Sequence, residues 1–338
     1  MRFAHLISAI DTHAAGEPTR IVLSGLPPIP GGTMAAKKRY MAEHLDHFRT
    51  LLMQEPRGHR DMFGAILTPP TTPQAQYGVL FMDSGGYLDM CGHGVISMAT
   101  ALIETGAIPP TESETVVVFD TAAGLVESRA QVEGHQVVDV SVANVASFLY
   151  ERDVALDLPD VGGITVDVAF GGNFFAMVRA NRLGLTVHPA HVAPLTRFGM
   201  LINQAVNAKL QVVHPTQPHI ATVALTEIYE PPTRATPHAK SAVIFGHGQL
   251  DRSPCGTGIS AAMATLYARG ELQLDEVLVS ESLIGTRFRG KLLRQVPLGN
   301  YVAVAPVFSG EAYLTGMQQF VVDPDDPVKY GFRLGSQS

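Results

Sequence analysis

Two short segments carry the residue types best suited to chemistry. Cys91-Gly92-His93-Gly94 and Cys255-Gly256-Thr257-Gly258 hold the only two cysteines of the chain, 164 residues apart. Each runs into an Ala/Met-rich apolar stretch with helical spacing, which predicts a cysteine at the mouth of a helix. Free N–H groups and the helix dipole favour negative charge there, so the placement predicts lowered thiol pKa values. The glycines let backbone N–H groups approach a ligand closely and form an anion site. Two such mouths facing one cleft would aim two thiols and several N–H donors at one small carboxylate.

Inverting a carbon that bears an acidic hydrogen needs such a pair. One base removes the proton from one face, and a conjugate acid delivers a proton to the other. For both directions to run, the two groups must be alike and exchange roles, which a thiol and a thiolate can do. The N–H donors would stabilise charge spreading into the carboxylate as the α-proton leaves. Other readings of the same residues are weaker. Either cysteine alone could be inert core. Neither has a Cys or His at zinc-ligand spacing, neither Gly-x-Gly turn completes a dinucleotide or P-loop pattern, and a redox pair would be close in sequence.

The elements that must position these residues repeat. Superimposing the cysteines aligns both following glycines, Leu102 with Leu266 and Gly106 with Gly270. The approaches match too: Val79–Met82 leads through Asp83-Ser84-Gly85-Gly86 to Cys91, and Ala242–Phe245 through Gly246-His247-Gly248 to Cys255. A duplicated domain follows. Strands are expected at Thr19–Ser24, Gly78–Met82, Thr115–Asp120, Val137–Val142, Ile164–Ala169, Ala176–Arg179, Ala242–Phe245, Tyr301–Val307 and Gln319–Val322. Helices are expected at Ala35–Leu52, Gly94–Glu104, Thr196–Lys209 and Gly258–Ala268, giving an α+β fold.

Composition bounds the rest. The 338 residues are 46% hydrophobic and 16% charged, ordinary for a globular protein and long enough for two domains. A net charge of −7 with no basic run beyond Lys37-Lys38-Arg39 argues against nucleic acid as a partner. No apolar stretch approaches a membrane span, and the N-terminal residues read as too polar for a signal segment. A cytoplasmic protein is expected.

Longer motifs extend the pattern over the whole chain. Met90-Cys91-Gly92-His93-Gly94 and Asp251-Arg252-Ser253-Pro254-Cys255-Gly256-Thr257-Gly258 resemble the two signatures of the proline racemase family. Further matches are Gly16-Glu17-Pro18-Thr19-Arg20, Glu55-Pro56-Arg57-Gly58-His59, Phe170-Gly171-Gly172-Asn173-Phe174 and Glu281-Ser282-Leu283-Ile284-Gly285-Thr286. The resemblance implies a diaminopimelate-epimerase-like fold: two pseudo-symmetric α/β domains with the active site in the cleft between them, usually as a homodimer. We place the first domain at 1–130, completed by 318–338, and the second at 131–317. The resemblance implies no cofactor and no metal, with a small amino acid as substrate. Cys91 and Cys255 would be the acid/base thiols. His93 and Asp251 would help bind the ring nitrogen, and backbone around Gly92, His93, Gly256, Thr257 and Gly258 would hold the carboxylate.

The family contains proline racemases, 4-hydroxyproline 2-epimerases and trans-3-hydroxyproline dehydratases. Its dehydratases typically carry Thr at the position of Cys255, so Cys255 argues for inversion over elimination. Phe63 and Phe245 match aromatic pocket walls of proline racemases, where hydroxyproline epimerases are more polar. An apolar wall leaves a ring hydroxyl unpartnered at a cost of about 1–3 kcal/mol, which favours proline. Ala14, Val95 and Ile259 depart from the Thr usual in bacterial proline racemases, and the latter two are similar to the dehydratase branch. Hydroxyproline chemistry therefore stays open. A non-catalytic carboxylate-binding protein is the reading from another class.

Overall fold

The computed structural model describes residues 3–111, 113–232 and 238–334. The first half contains β1 (His5–Ala14), β2 (Glu17–Ser24), α1 (Met34–His44), α2 (Asp46–Met53), β3 (Phe63–Thr68), β4 (Tyr77–Asp83), β5 (Tyr87–Leu88), α3 (Gly92–Glu104), β6 (Glu114–Thr121), β7 (Gly124–Glu133) and β8 (Gln136–Ala143). The second contains β9 (Phe148–Leu158), β10 (Gly162–Phe170), β11 (Phe174–Arg179), α4 (Val192–Lys209), β12 (Val223–Glu230), β13 (Ala239–Phe245), β14 (Gln249–Leu250), α5 (Gly256–Ala268), β15 (Val277–Glu281), β16 (Arg287–Leu298), β17 (Tyr301–Gly310) and β18 (Ala312–Val322).

The duplication is visible in the pairing. In the first half, β2 pairs β3 in parallel with α1 and α2 between them, and β4 pairs β6 in parallel across α3. In the second, β11 pairs β12 in parallel across α4, and β13 pairs β15 in parallel across α5. Helical crossovers are what parallel neighbours require. The last strand returns to the first half: β18 pairs β1 along its whole length, the counterpart of the β9–β10 pairing in the second half, while β8 and β17 pair antiparallel and join the halves. Residues 130 and 318 each lie inside a strand, β7 and β18 respectively.

Apolar residues all round α3 and α5 explain their position at the centre of each half. Every residue of α3 from Gly92 to Ile103 is buried, as is every residue of α5 from Gly256 to Leu266. Helix α3 packs on β1, β2, β7, β8 and β18; α5 packs on the five equivalent strands, β10, β11, β16, β17 and β9. Both end alike, with Gly106 N–H bonded to Ile103 O and Gly270 N–H to Tyr267 O.

The helix expected over Ala35–Leu52 is two helices. Leu45, with φ −126°, closes α1 and opens α2, and Asp46 in the first turn of α2 accepts from Arg49. No glycine or proline marks this break. Phe48, Leu51, Leu52 and Met53 of α2 are all buried.

Candidate active site

Each cysteine is the N-cap of its central helix. Cys91 Sγ accepts from Gly94 N–H at 3.4 Å, and Cys255 Sγ accepts from Gly258 N–H at 3.3 Å. Gly258, expected among the carboxylate donors, thus spends its N–H on the thiol. Gly92, His93, Gly256 and Thr257 supply the remaining first-turn N–H groups, which have no intrahelical acceptor. The two caps differ in backbone: Cys91 is extended at φ −144°, whereas Cys255 sits at φ +61°. That region is strained for a non-glycine residue and recurs at functional positions. The segment before it supports the strain, since Asp251 accepts from Ser253 N–H at 2.7 Å and Ser253 Oγ accepts from Cys255 N–H at 3.1 Å.

The two helix mouths touch. A Cβ added to Gly92 would lie 2.6 Å from Gly256 Cα, and one added to Gly256 would lie 2.8 Å from Gly92 Cα; both would strike the Phe308 ring. Only residues without a side chain fit, so the Gly after each cysteine lets the two helix mouths meet as well as freeing N–H groups. Asn173, from the β10–β11 turn, fixes the approach to Cys91 across the halves. Its Nδ2 donates to Met90 O at 2.7 Å, and its Oδ1 accepts from Asp89 N–H at 3.0 Å.

His93, Phe63 and Phe245 line one side. His93 Nδ1 is 3.2 Å from Cys91 Sγ. Phe63 meets the His93 ring edge-on at 4.6 Å and the Phe245 ring edge-on at 6.4 Å. Burial lowers the His93 pKa to about 3, so this ring is neutral and can donate to or accept from the thiol without adding charge.

Three buried carboxyls complete the site, of which only Asp251 was expected. Glu17 is placed by the β1–β2 hairpin, whose turn residues Ala15 and Gly16 have φ of +52° and +95°, the backbone of a two-residue turn with positive φ at both positions. Its Oε2 accepts from Arg252 N–H at 2.7 Å, joining the halves; Arg252 also pairs with Asp61 at 2.9 Å. Glu227, on β12, is fully buried and its Oε2 has no hydrogen-bond partner among the described residues. Its signal in the sequence was a lone acid within the apolar run Val-Ala-Leu-Thr-Glu-Ile-Tyr.

Electrostatics overturn the expectation of lowered thiol pKa values. Burial pushes both thiols well above their ordinary range; Asp251 adds to this at both, Glu17 at Cys91 and Glu227 at Cys255. The N–H bonds act in the expected direction but are outweighed, because removing a charge from water exceeds what one or two donors return. Burial also raises Asp251 to about 6 and Glu17 well above the carboxylate range, and the nearby Asp251 charge raises Glu17 further. Of that pair, Glu17 keeps the proton and Asp251 is the carboxylate at neutral pH.

The departures Ala14, Val95 and Ile259 are all core residues. Ile259 Cδ1 lies 3.1 Å from a Cβ position on Gly290 in β16, so that side chain fills the space between α5 and its sheet.

A profile of proline racemases matches residues 9–333. The chain belongs to the proline racemase family. It is 48% identical over 334 residues to a proline racemase of Clostridioides difficile, covering 99% of this chain and 100% of that one. It is 43% identical over 334 residues to a 4-hydroxyproline 2-epimerase of Streptosporangium roseum, again covering 99% and 100%. Among solved structures, a hydroxyproline epimerase from Agrobacterium vitis with bound trans-4-hydroxy-L-proline superimposes with a TM-score of 0.94 at 33% identity, covering 99% of this chain and 97% of that chain. The fold of this proline racemase family member is therefore diaminopimelate-epimerase-like. No helix of the described residues is long and apolar enough to cross a membrane.

Proposed function

We infer that this chain is a cofactor-independent racemase or epimerase that inverts the α-carbon of proline or a hydroxyproline. One observation carries the reading: two thiols cap two equivalent helices whose first residues are in contact. A small amino acid lying across that contact would present opposite faces of Cα to Cys91 and Cys255. Free N–H groups of Gly92, His93, Gly256 and Thr257 would hold its carboxylate and stabilise the charge that develops there. The ring ammonium would face the Asp251 carboxylate, whose negative charge it would offset, easing ionisation of either thiol. In each half-cycle the thiolate takes the α-proton and the opposite thiol gives its own. Elimination needs a base on one face only, so a thiol at both mouths supports inversion.

The wall of Phe63 and Phe245 supports proline over its hydroxylated forms. NMR in deuterium oxide on proline and the 3- and 4-hydroxyprolines tests the whole reading. Loss of the Cα–H signal with inversion is the expected result, fastest for proline; absence of exchange on every ring would sink it. Within this proposal the cleft separates residues up to 143 joined by β18 from the half built from β9 to β17. The homodimer and cytoplasmic location belong to it as well, and light scattering that gave a monomer would remove the former.

Acid should switch the enzyme off through Asp251. With its pKa raised to about 6, the carboxylate that meets the ammonium is present above that pH and lost below it. The kcat/KM should therefore fall about tenfold per pH unit below 6. Asp251→Asn should show a low rate without this limb. A limb near 4 instead would show that Asp251 is solvated in the working enzyme.

A further inference from the structure

Glu227 has no part in the reaction drawn above, yet its carboxyl lies against the first turn of α5. A Cβ built on Gly258 would be 2.6 Å from Glu227 Oε2 and 3.2 Å from Cys255 Sγ, so the two groups flank the same spot. Residues alternate across β12: Thr226 Oγ1 donates to Gly199 O of α4, and Glu227 faces the other way, toward α5. Its lateral neighbours in register are Met177 of β11 and Val243 of β13, neither of which titrates. The groups that face it are Asp251, from the segment before α5, and Cys255 at the helix mouth; Tyr229 follows on its own strand. An apolar residue would serve the core better, because a buried carboxyl oxygen without a partner, as Oε2 is among the described residues, costs about 1–3 kcal/mol even when neutral.

The geometry points to Glu227 as a positioning residue that governs the proton of Cys255: as a neutral acid it lets the thiol ionise, and as an anion it ties the proton to sulfur. This rests on the reading of Cys255 as an acid/base thiol. When Cys255 has given its proton to Cα, the new thiolate has a neutral carboxyl across the Gly258 turn instead of a second negative charge; no atom passes between the two groups. Burial and the nearby Asp251 raise Glu227 to about 8, so the neutral form prevails at neutral pH and is lost as pH rises through that value. At Cys91 the corresponding buried carboxyl is Glu17, so the alkaline behaviour of that thiol should not depend on residue 227.

The test uses Glu227→Gln, which is near-isosteric and cannot ionise. In a Cys91→Ser background, alkylation of Cys255 by iodoacetamide is followed by mass spectrometry from pH 6 to 10. At pH 6–7 the parent and the Glu227→Gln protein should react within about twofold of each other. At pH 9 the Glu227→Gln protein should react about tenfold faster or more, since a like charge beside the thiol has been removed. A ratio that does not change with pH overturns the proposal. Should Glu227→Gln not fold by circular dichroism, Glu227→Met gives the same comparison. Turnover supplies an independent readout: with both cysteines present, kcat should fall about tenfold between pH 7 and 9 with Glu227 and stay level with Gln. Alkylation needs no turnover, so absence of racemisation would strike the proposed function and leave this comparison standing.

Discussion

Replacing Cys255 by serine is expected to reduce racemisation by about 10²–10⁴-fold, the contribution of one positioned acid/base group. A serine hydroxyl occupies the same cap and still accepts the Gly258 N–H, so the helix mouth survives. What is lost is the acid: a hydroxyl neither gives up nor regains a proton at rates a thiol allows. The loss should be one-sided in a second measurement. With Cys91 still able to act from its own face, one enantiomer should exchange its α-hydrogen in deuterium oxide without inverting. Cys91→Ser should do the same for the opposite enantiomer. Racemisation by either single-thiol protein at the parent rate would refute the two-base mechanism. The reciprocal pattern of exchange is the sharper discriminator, because a merely misfolded variant would exchange neither enantiomer.

The second large effect concerns two glycines. Gly92→Ala and Gly256→Ala each place a methyl group 2.6–2.8 Å from the Cα of the other glycine and against the Phe308 ring. A backbone atom cannot rotate away as a side chain can, so the helix mouths must separate. Overpacking of this kind costs about 1–3 kcal/mol, and a displacement of about 1 Å at reacting groups can cost about 10²-fold in rate. Both variants should therefore melt several degrees lower and lose most activity, with kcat affected more than the binding of a small carboxylate. Unchanged melting and kcat would mean that the mouths do not meet in solution. Phe308→Leu in the Gly92→Ala background should recover part of the stability by vacating space, and less of the rate.

Much of this protein was legible along the chain because its signals are local. A cysteine, a Gly-x-Gly turn and an apolar run suffice to set an N-cap and a buried helix, and α3 and α5 formed as expected, two residues longer at the start. The duplication was legible for the same reason, since equivalent local motifs recur at the same offsets. The family resemblance added ordered motifs such as Phe170-Gly171-Gly172-Asn173-Phe174, whose Asn173 proved to clamp the segment before Cys91.

Other features required the tertiary structure. The break at Leu45 has no glycine or proline to announce it, and only the backbone of the folded chain shows it. The pairing of β18 with β1 spans the whole chain, and alternation of apolar residues says that a strand exists but not which edge it joins. The thiols show the difference most clearly. Residue types alone place each sulfur at a positive helix end, which argues for a lowered pKa. Packing then buries both, brings Glu17 and Glu227 beside them from distant strands, and sets Asp251 of the Cys255 motif against Cys91 as well, which reverses the sign. Local sequence determined that Cys91 and Cys255 would cap two equivalent helices; only the folded chain decided how tightly each holds its proton, because desolvation and through-space charge depend on what long-range contacts bring near.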